Sequence, residues 1–284
     1  MRALAAISSS VIAFALLLAF GTGTAQAGRG GSPQLIKSAI SANSVDAIQA
    51  ELERSEYLVC AACTDLVVPL VDHADYRVRK VAAWWLARRG ASRQVYLSML
   101  QRLGQPESLL ARNAADILGE LGYPSSIPAL SAALSNPIFT ADARAAMARA
   151  LGSIARPSAA AGLISALGAS EPAVKAAAVS ALRDVEGFTN AAVAEGLLTD
   201  ADEEVRAQAA MTFGALRSTT GAATLAGILG SDPSESVRKK AAWALGEMRA
   251  PAAVAAAGLQ HAATSDTSPL VRSIAGAAIA KLSR

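Results

Sequence analysis

The chain has 284 residues, of which 52% are apolar and only 4% aromatic, and its formal net charge is +3. Its core must be built from Ala, Leu and Val, a composition that favours closely packed helices, because Ala and Leu are strong helix formers and Ala lets backbones approach. With 26 basic and 23 acidic residues, it has neither the basic stripe of a dedicated nucleic-acid binder nor a polyanionic tail.

Residues 1–27 read as a secretory signal peptide. Arg2 supplies a positive start, Val11–Phe20 an apolar centre and Ala25–Ala27 a small-x-small cleavage site. The apolar run is too short to cross a bilayer comfortably, and no later stretch is long enough. We therefore expect an exported protein, periplasmic or extracellular, with no membrane span after cleavage. Residues 28–32 (GRGGS) read as a flexible mature terminus.

Residues 33–59 form the predicted N-terminal cap. "SPQLIKSAI" and "SVDAIQAELERSE" suggest two helices, with Ser44 as N-cap and Asp46 in the favourable first turn. The two cysteines follow in "YLVCAACTD", as Cys60 and Cys63. Haem attachment needs C-x-x-C-H, and position 64 is Thr. A zinc site needs four ligands, and His261, one of two histidines beside His73, lies at the far end of the chain. The remaining readings are a local disulfide or paired buried thiols, a redox-responsive switch, and a metal or intermolecular link. Without a βαβ context the motif does not define a thioredoxin-like enzyme.

From residue 60 to 284 the chain repeats itself. "VRKVAAWWLARRG" (78–90), "ARNAADILGELG" (111–122), "ARAAMARALGSI" (143–154) and "VKAAAVSALRDV" (174–185) are followed by three more such segments. These are "VRAQAAMTFGAL" (205–216), "VRKKAAWALGEM" (237–248) and "VRSIAGAAIAKL" (271–282). Their large apolar anchors are Leu86, Leu118, Leu151, Leu182, Phe213, Leu245 and Ile279, spaced by 32, 33, 31, 31, 32 and 34 residues. A shorter apolar stretch precedes each segment, and turns such as "TDADEE" and "GSDPSES" separate the two. Apolar residues recur every three or four positions and no sustained strand alternation appears, so the predicted fold is all-α, a stack of helical pairs.

The consensus, an acid-containing turn followed by V-R-x-x-A-A-x-x-L-G-x-[LIM], resembles HEAT repeats of the short phycobilin-lyase type. The resemblance covers about Cys60 to Leu282 and implies an α-solenoid of about seven repeats, with first helices outside and second helices lining a concave face. It is specific for the repeat and not for an activity.

Seven residues before the anchor stand Arg79, Ala111, Arg144, Lys175, Arg206, Arg238 and Arg272. A cation at a helix start is poorly placed for the helix dipole, and the turns before these helices offer Asp72, Asp200, Asp232 and Asp266. The resemblance implies that such cations and acids form a structural ladder between repeats. Two positions before the anchor stand Trp84, Asp116, Arg149, Ser180, Met211, Trp243 and Ala277, the irregular chemistry of a solvent-facing surface. Neighbouring columns add Lys80, Arg112, Lys239 and Lys240. The candidate protein-binding residues are therefore Lys80, Trp84, Arg112, Asp116, Arg149, Lys239, Lys240 and Trp243, in two patches around Trp84 and Trp243; each Trp alternatively fills a groove between helices.

No nucleophile-elbow, Walker or Rossmann motif is present, and two histidines offer acid–base catalysis few recruits. HEAT-like deoxyhypusine hydroxylase uses repeated His-Glu pairs for iron, but here His73 is followed by Ala74 and His261 by Ala262. A phycobilin lyase fits poorly with a signal peptide and no matching chromophore site. We expect no catalytic residue, metal or cofactor, and a function in binding a protein partner, as a scaffold, adaptor or assembly factor. The alternatives are a redox-responsive protein using Cys60 and Cys63, and an enzyme of the HEAT-like lyase or hydroxylase class.

Overall fold

A computed structural model describes residues 31–248 and 252–283. The predicted signal segment and residues 28–30 lie outside the described residues. Helices α1 (Pro33–Ser41) and α2 (Val45–Arg54) open the chain; α3 (Ala61–Val67), prolonged by a 3-10 turn to Asp72, pairs with α4 (Tyr76–Ala87). Then follow α5 (Ser92–Leu103) with α6 (Ser108–Leu121), α7 (Ile127–Leu134) with α8 (Ala141–Ile154), and α9 (Ala160–Ala166) with α10 (Pro172–Ala181). A 3-10 segment, Ala191–Thr199, pairs with α11 (Glu203–Ala215), and α12 (Ala222–Ser231) pairs with α13 (Glu235–Glu247). The last pair is α14 (Ala252–Ser265) and α15 (Pro269–Leu282). No strand occurs among the described residues, and none of their helices is long and apolar enough to cross a membrane.

The polar turns act at the helix starts. Ser44 accepts a hydrogen bond from the Ala47 N–H, and Thr140, Asp202, Ser234 and Ser268 cap α8, α11, α13 and α15 in the same way. Each cap satisfies a backbone donor that the helix itself leaves unpaired.

Two rows of helices result. The second helices α4, α6, α8, α10, α11, α13 and α15 pack in succession, with α2 ahead of them against α4, while first helices such as α5, α7 and α9 form the other row. Between the rows runs one continuous core, in which the anchors Leu86, Leu118, Leu151, Leu182, Phe213 and Leu245 are buried. A helical pair cannot bury its apolar face alone, so stacking is what makes the core.

The consensus Gly after the anchor has a physical role at four joints. A Cβ on Gly119 would stand 2.9 Å from the Ala150 Cα, on Gly152 2.8 Å from the Ala181 Cβ, on Gly214 2.7 Å from the Ala244 Cα, and on Gly246 2.8 Å from the Ala278 Cβ. Each pairs with the small residue before the next anchor, and the backbones close to a distance no side chain permits.

Two joints depart from the pattern; between α4 and α6 the residues are Ala87 and Ile117. Between α10 and α11 the small pair is replaced by Arg183 and Thr212. Arg183 donates to the Gln208 carbonyl at 3.3 Å and to Ser180 Oγ at 2.6 Å, while Thr212 donates to the Val179 carbonyl at 3.1 Å. Polar bridges here take the place of close backbone contact.

Candidate functional site

The repeated cations link each second helix to the turn of the next repeat, as a ladder between neighbouring repeats. The Arg206 guanidinium donates to the carbonyls of Asp200 and Ala201 in its own preceding turn, and ion-pairs with Asp232 of the next repeat at 2.7 Å. Arg238 repeats this on the carbonyls of Asp232 and Pro233 and on Asp266, 2.8 Å away. Lys175 pairs with Asp200 and Arg144 with Glu171. The side chain is long enough to satisfy its own turn through backbone carbonyls and still reach the following repeat. Arg272 binds the carbonyls of Asp266 and Thr267.

Three sequence assignments need correction. Asp72 pairs with Arg102 on the first-helix row at 2.6 Å, not with a ladder cation. Asp116, expected on the open surface, is buried against Arg79 at 2.7 Å, with side-chain exposures of 5% and 4%. Gln105 and Ala111 stand in the second repeat where Asp200 and Arg206 stand in a later one, and Arg79 reaches past the turn to Asp116 on α6. Arg112, also expected as a free contact, pairs with Asp142 at 3.1 Å and carries the link to α8 that Ala111 cannot.

The other N-terminal candidates meet in a cleft of about 620 Å³ between α2, α4 and α6, lined by Gln49, Glu53, Glu56, Arg77, Lys80, Val81, Trp84 and Glu120. Glu53 and Glu56 come from α2 and the turn after it; Arg77, Lys80 and Trp84 come from successive turns of α4, three and four residues apart, so they share one face. Trp84 is half-buried and packs on the core, and its indole N–H makes no hydrogen bond among the described residues. Arg88 stacks on its ring at 4.4 Å and pairs with Glu56 at 3.4 Å. Lys80 pairs with Glu120 at 3.5 Å, and Arg77 with Asp46 at 3.1 Å. Burial pushes the Tyr76 hydroxyl above its ordinary range, helped by Glu120 and opposed by Lys80 and Arg149, charges that therefore gather around the start of α4. Arg149 is exposed on α8 and forms no ion pair among the described residues.

The C-terminal patch is differently built. Trp243 is half-buried and lies over Gly214, where an added Cβ would meet its ring at 2.6 Å, so it fills the groove between α11 and α13. Lys239 pairs with Glu235 at 3.6 Å and Lys240 with Glu204 at 3.7 Å. The two tryptophans are thus not equivalent. Trp85, beside Trp84, is core and donates to Ser55 Oγ at 3.0 Å.

Sequence reasoning missed the acidic wall of the first cleft. Gln49, Glu53 and Glu56 precede the repeats and fall in no repeat column. Glu120 does lie in the repeat, but resembled an ordinary solvated acid. The signal available was the run "QAELERSE", in which Gln49, Glu53 and Glu56 recur at four- and three-residue spacing.

Cys60 is the N-cap of α3, its sulfur accepting from the Cys63 N–H at 3.1 Å; the two sulfurs are in contact and the Cα atoms 5.2 Å apart. The preceding loop is fastened from α4: the Arg89 guanidinium donates to the carbonyls of Trp85, Ser55, Glu56 and Leu58. Burial, with the Arg88 charge beside it, lowers the Arg89 pKa to about 10, which Glu56 only partly offsets.

The fold and these joints define an α-solenoid of HEAT type. The chain matches the HEAT-repeat family over residues 64–139, 96–183 and 190–280, and it belongs to that family. The matches break just after Arg183, at one of the two joints that lack the Gly–Ala contact. Comparison with curated proteins gave no match. Among solved structures, an engineered protein is similar at 20% identity and TM-score 0.51, over 89% of this chain and 82% of its own. Kap121p is similar at 14% identity and TM-score 0.51, over 71% of this chain and 25% of its own. The complex of CpcE and CpcF of phycocyanin lyase from Nostoc sp. PCC7120 is similar at 20% identity and TM-score 0.43, over 77% and 94%. At these identities the likeness describes the fold alone.

Proposed function

We propose that the chain is an exported protein-binding scaffold, an adaptor or assembly factor that holds a protein partner against the second-helix row of its N-terminal repeats. The observation that carries this reading is Trp84: a half-buried ring with an unpaired indole N–H in an open cleft. An aromatic ring that is already packed loses little side-chain freedom on binding, and its apolar area and N–H supply the anchor of an interface. The flanking Glu53 and Glu56 on one wall and Lys80 and Arg77 on the other suit a segment carrying both charges beside an apolar anchor. Such rim charges contribute more to register and association rate than to affinity. Export rests on the signal-peptide pattern.

A photo-reactive residue at position 84 should cross-link one envelope protein in cells, and Trp84→Ala combined with Lys80→Glu should abolish capture of that same protein. A control on the first-helix row, Leu97→Ala, should retain it. Capture unaffected by the double variant would remove the cleft from the interface. Export is tested separately by N-terminal sequencing of the fractionated protein: a mature chain starting at Gly28 supports it, and an uncleaved cytoplasmic chain refutes it.

A further inference from the structure

Cys60 and Cys63 occupy unequal positions. Cys63 is fully buried, whereas Cys60 is half-exposed on a second cleft of about 560 Å³, whose lining includes Val59, Thr64, Arg88 and Arg89. Beside it stand two exposed apolar side chains, Tyr57 at 85% and Val59 at 99%. Neither contributes to the core, and an extended segment lying across the loop would cover both. Arg88 belongs to this cleft and also contacts Trp84 and Glu56 of the first, so one side chain forms the boundary between the two.

The loop does not depend on a sulfur link for its shape. Arg89 holds the carbonyls of Ser55, Glu56 and Leu58 at 3.0, 2.9 and 3.3 Å, and Trp85 donates to Ser55. A bond between residues only 3 apart in sequence closes a very short loop and removes little entropy from the unfolded chain. As a staple the pair does little. As an accessible sulfur backed by a buried one, on a surface that can receive a peptide, it has the arrangement thiol exchange requires, since the rate of exchange depends on access to the attacked sulfur.

We propose that Cys60 and Cys63 form a reversible disulfide that exchanges with the cysteine thiols of another protein, Cys60 being the attacked sulfur. A partner thiolate attacks Cys60 Sγ and forms a mixed disulfide; the Cys60–Cys63 bond breaks, and its electron pair goes to Cys63 Sγ, which takes a proton from water. A second thiolate of the partner then attacks the partner's own sulfur in the mixed disulfide and expels Cys60 as thiolate, which takes a proton from water, the partner's two thiols having released one proton each. The partner's dithiol is oxidised to a disulfide and the Cys60/Cys63 pair is reduced to a dithiol. Both electrons and both protons are accounted for, and the reverse sequence reduces a partner disulfide.

Glutathione and a synthetic peptide carrying two cysteines test this on the purified protein, and neither probe needs the Trp84 cleft. With oxidised glutathione, Cys63→Ser should form a mixed disulfide at Cys60 about tenfold or more faster than Cys60→Ser forms one at the buried Cys63. The oxidised protein should oxidise the reduced peptide, read by intact mass, and its circular dichroism should not change on reduction. The proposal is overturned if both variants react alike, if the native pair resists reduced glutathione until denaturant is added, or if reduction melts the helices.

Discussion

Arg79 and Asp116 form an ion pair 2.7 Å long across the joint between α4 and α6, with both side chains withdrawn from solvent. Its other hydrogen bonds, to the carbonyls of His73 and Ala74, tie the same guanidinium to the turn before α4. One residue therefore fixes a turn and a repeat interface together. Removing Asp116 would strand a buried cation, so Asp116→Ala should lower stability by about 3–5 kcal/mol. Asp142→Ala, whose partner Arg112 is nearer solvent, should cost no more than about 1 kcal/mol. Urea unfolding of the two variants measures the difference; equal losses would show that burial does not set the strength of these links.

The Gly–Ala joints predict an opposite pair of outcomes for one substitution. Gly152→Ala introduces a Cβ 2.8 Å from the Ala181 Cβ and 3.0 Å from its backbone, forcing two helices apart at a cost of about 1–3 kcal/mol. Gly276→Ala meets nothing within 4 Å on α15 and should stabilise by about 0.5–1 kcal/mol through helix propensity. Thermal melting of the two variants should move in opposite directions.

Acid should weaken the ladder. The Arg238 hydrogen bond holds Asp266 below its ordinary value of 3.8, against the opposing effect of burial. Burial alone would raise Asp200 and Asp232, but hydrogen bonds from Lys175 and Arg206 and from backbone N–H groups bring both below it. A carboxylate depressed in the folded state stabilises fully above its unfolded pKa and loses that contribution as pH falls through the folded one. Stability should therefore be flat with respect to these groups above about pH 4 and decline below it. An Asp232→Asn/Asp266→Asn variant should be less stable at neutral pH and show a shallower acid decline.

Trp243 and the cysteine pair supply a contrast in stability. Because Trp243 fills the groove over Gly214, Trp243→Ala should cost about 3 kcal/mol or somewhat less, given its partial exposure. A Cys60→Ser/Cys63→Ser double variant should lose at most ~2 kcal/mol, the entropy of a very short closed loop. A double cysteine variant that fails to fold would show that the sulfur link organises the α2–α3 loop and that the Arg89 contacts do not suffice.

Much of this molecule was written along the chain. The anchors from Leu86 to Ile279 fix a helical pair as the unit and stacking as its consequence, because periodicity is local and an amphipathic helix must bury its face against a neighbour. Ser44 as a cap and the turns "TDADEE" and "GSDPSES" mark the helix starts for the same local reason. What the chain could not express was which partner each side chain would choose across a joint. Asp116 and Glu120 sit one turn apart on α6, yet one is sealed against Arg79 and the other lines the cleft with Lys80. Trp84 and Trp243 share a column, yet one lines an open cleft beside α2 and the other fills the groove above a glycine. The sequence by itself determined the repeat and its caps; the tertiary structure decided burial, pairing and the acidic wall contributed by α2, because these depend on distances between helices some thirty residues apart.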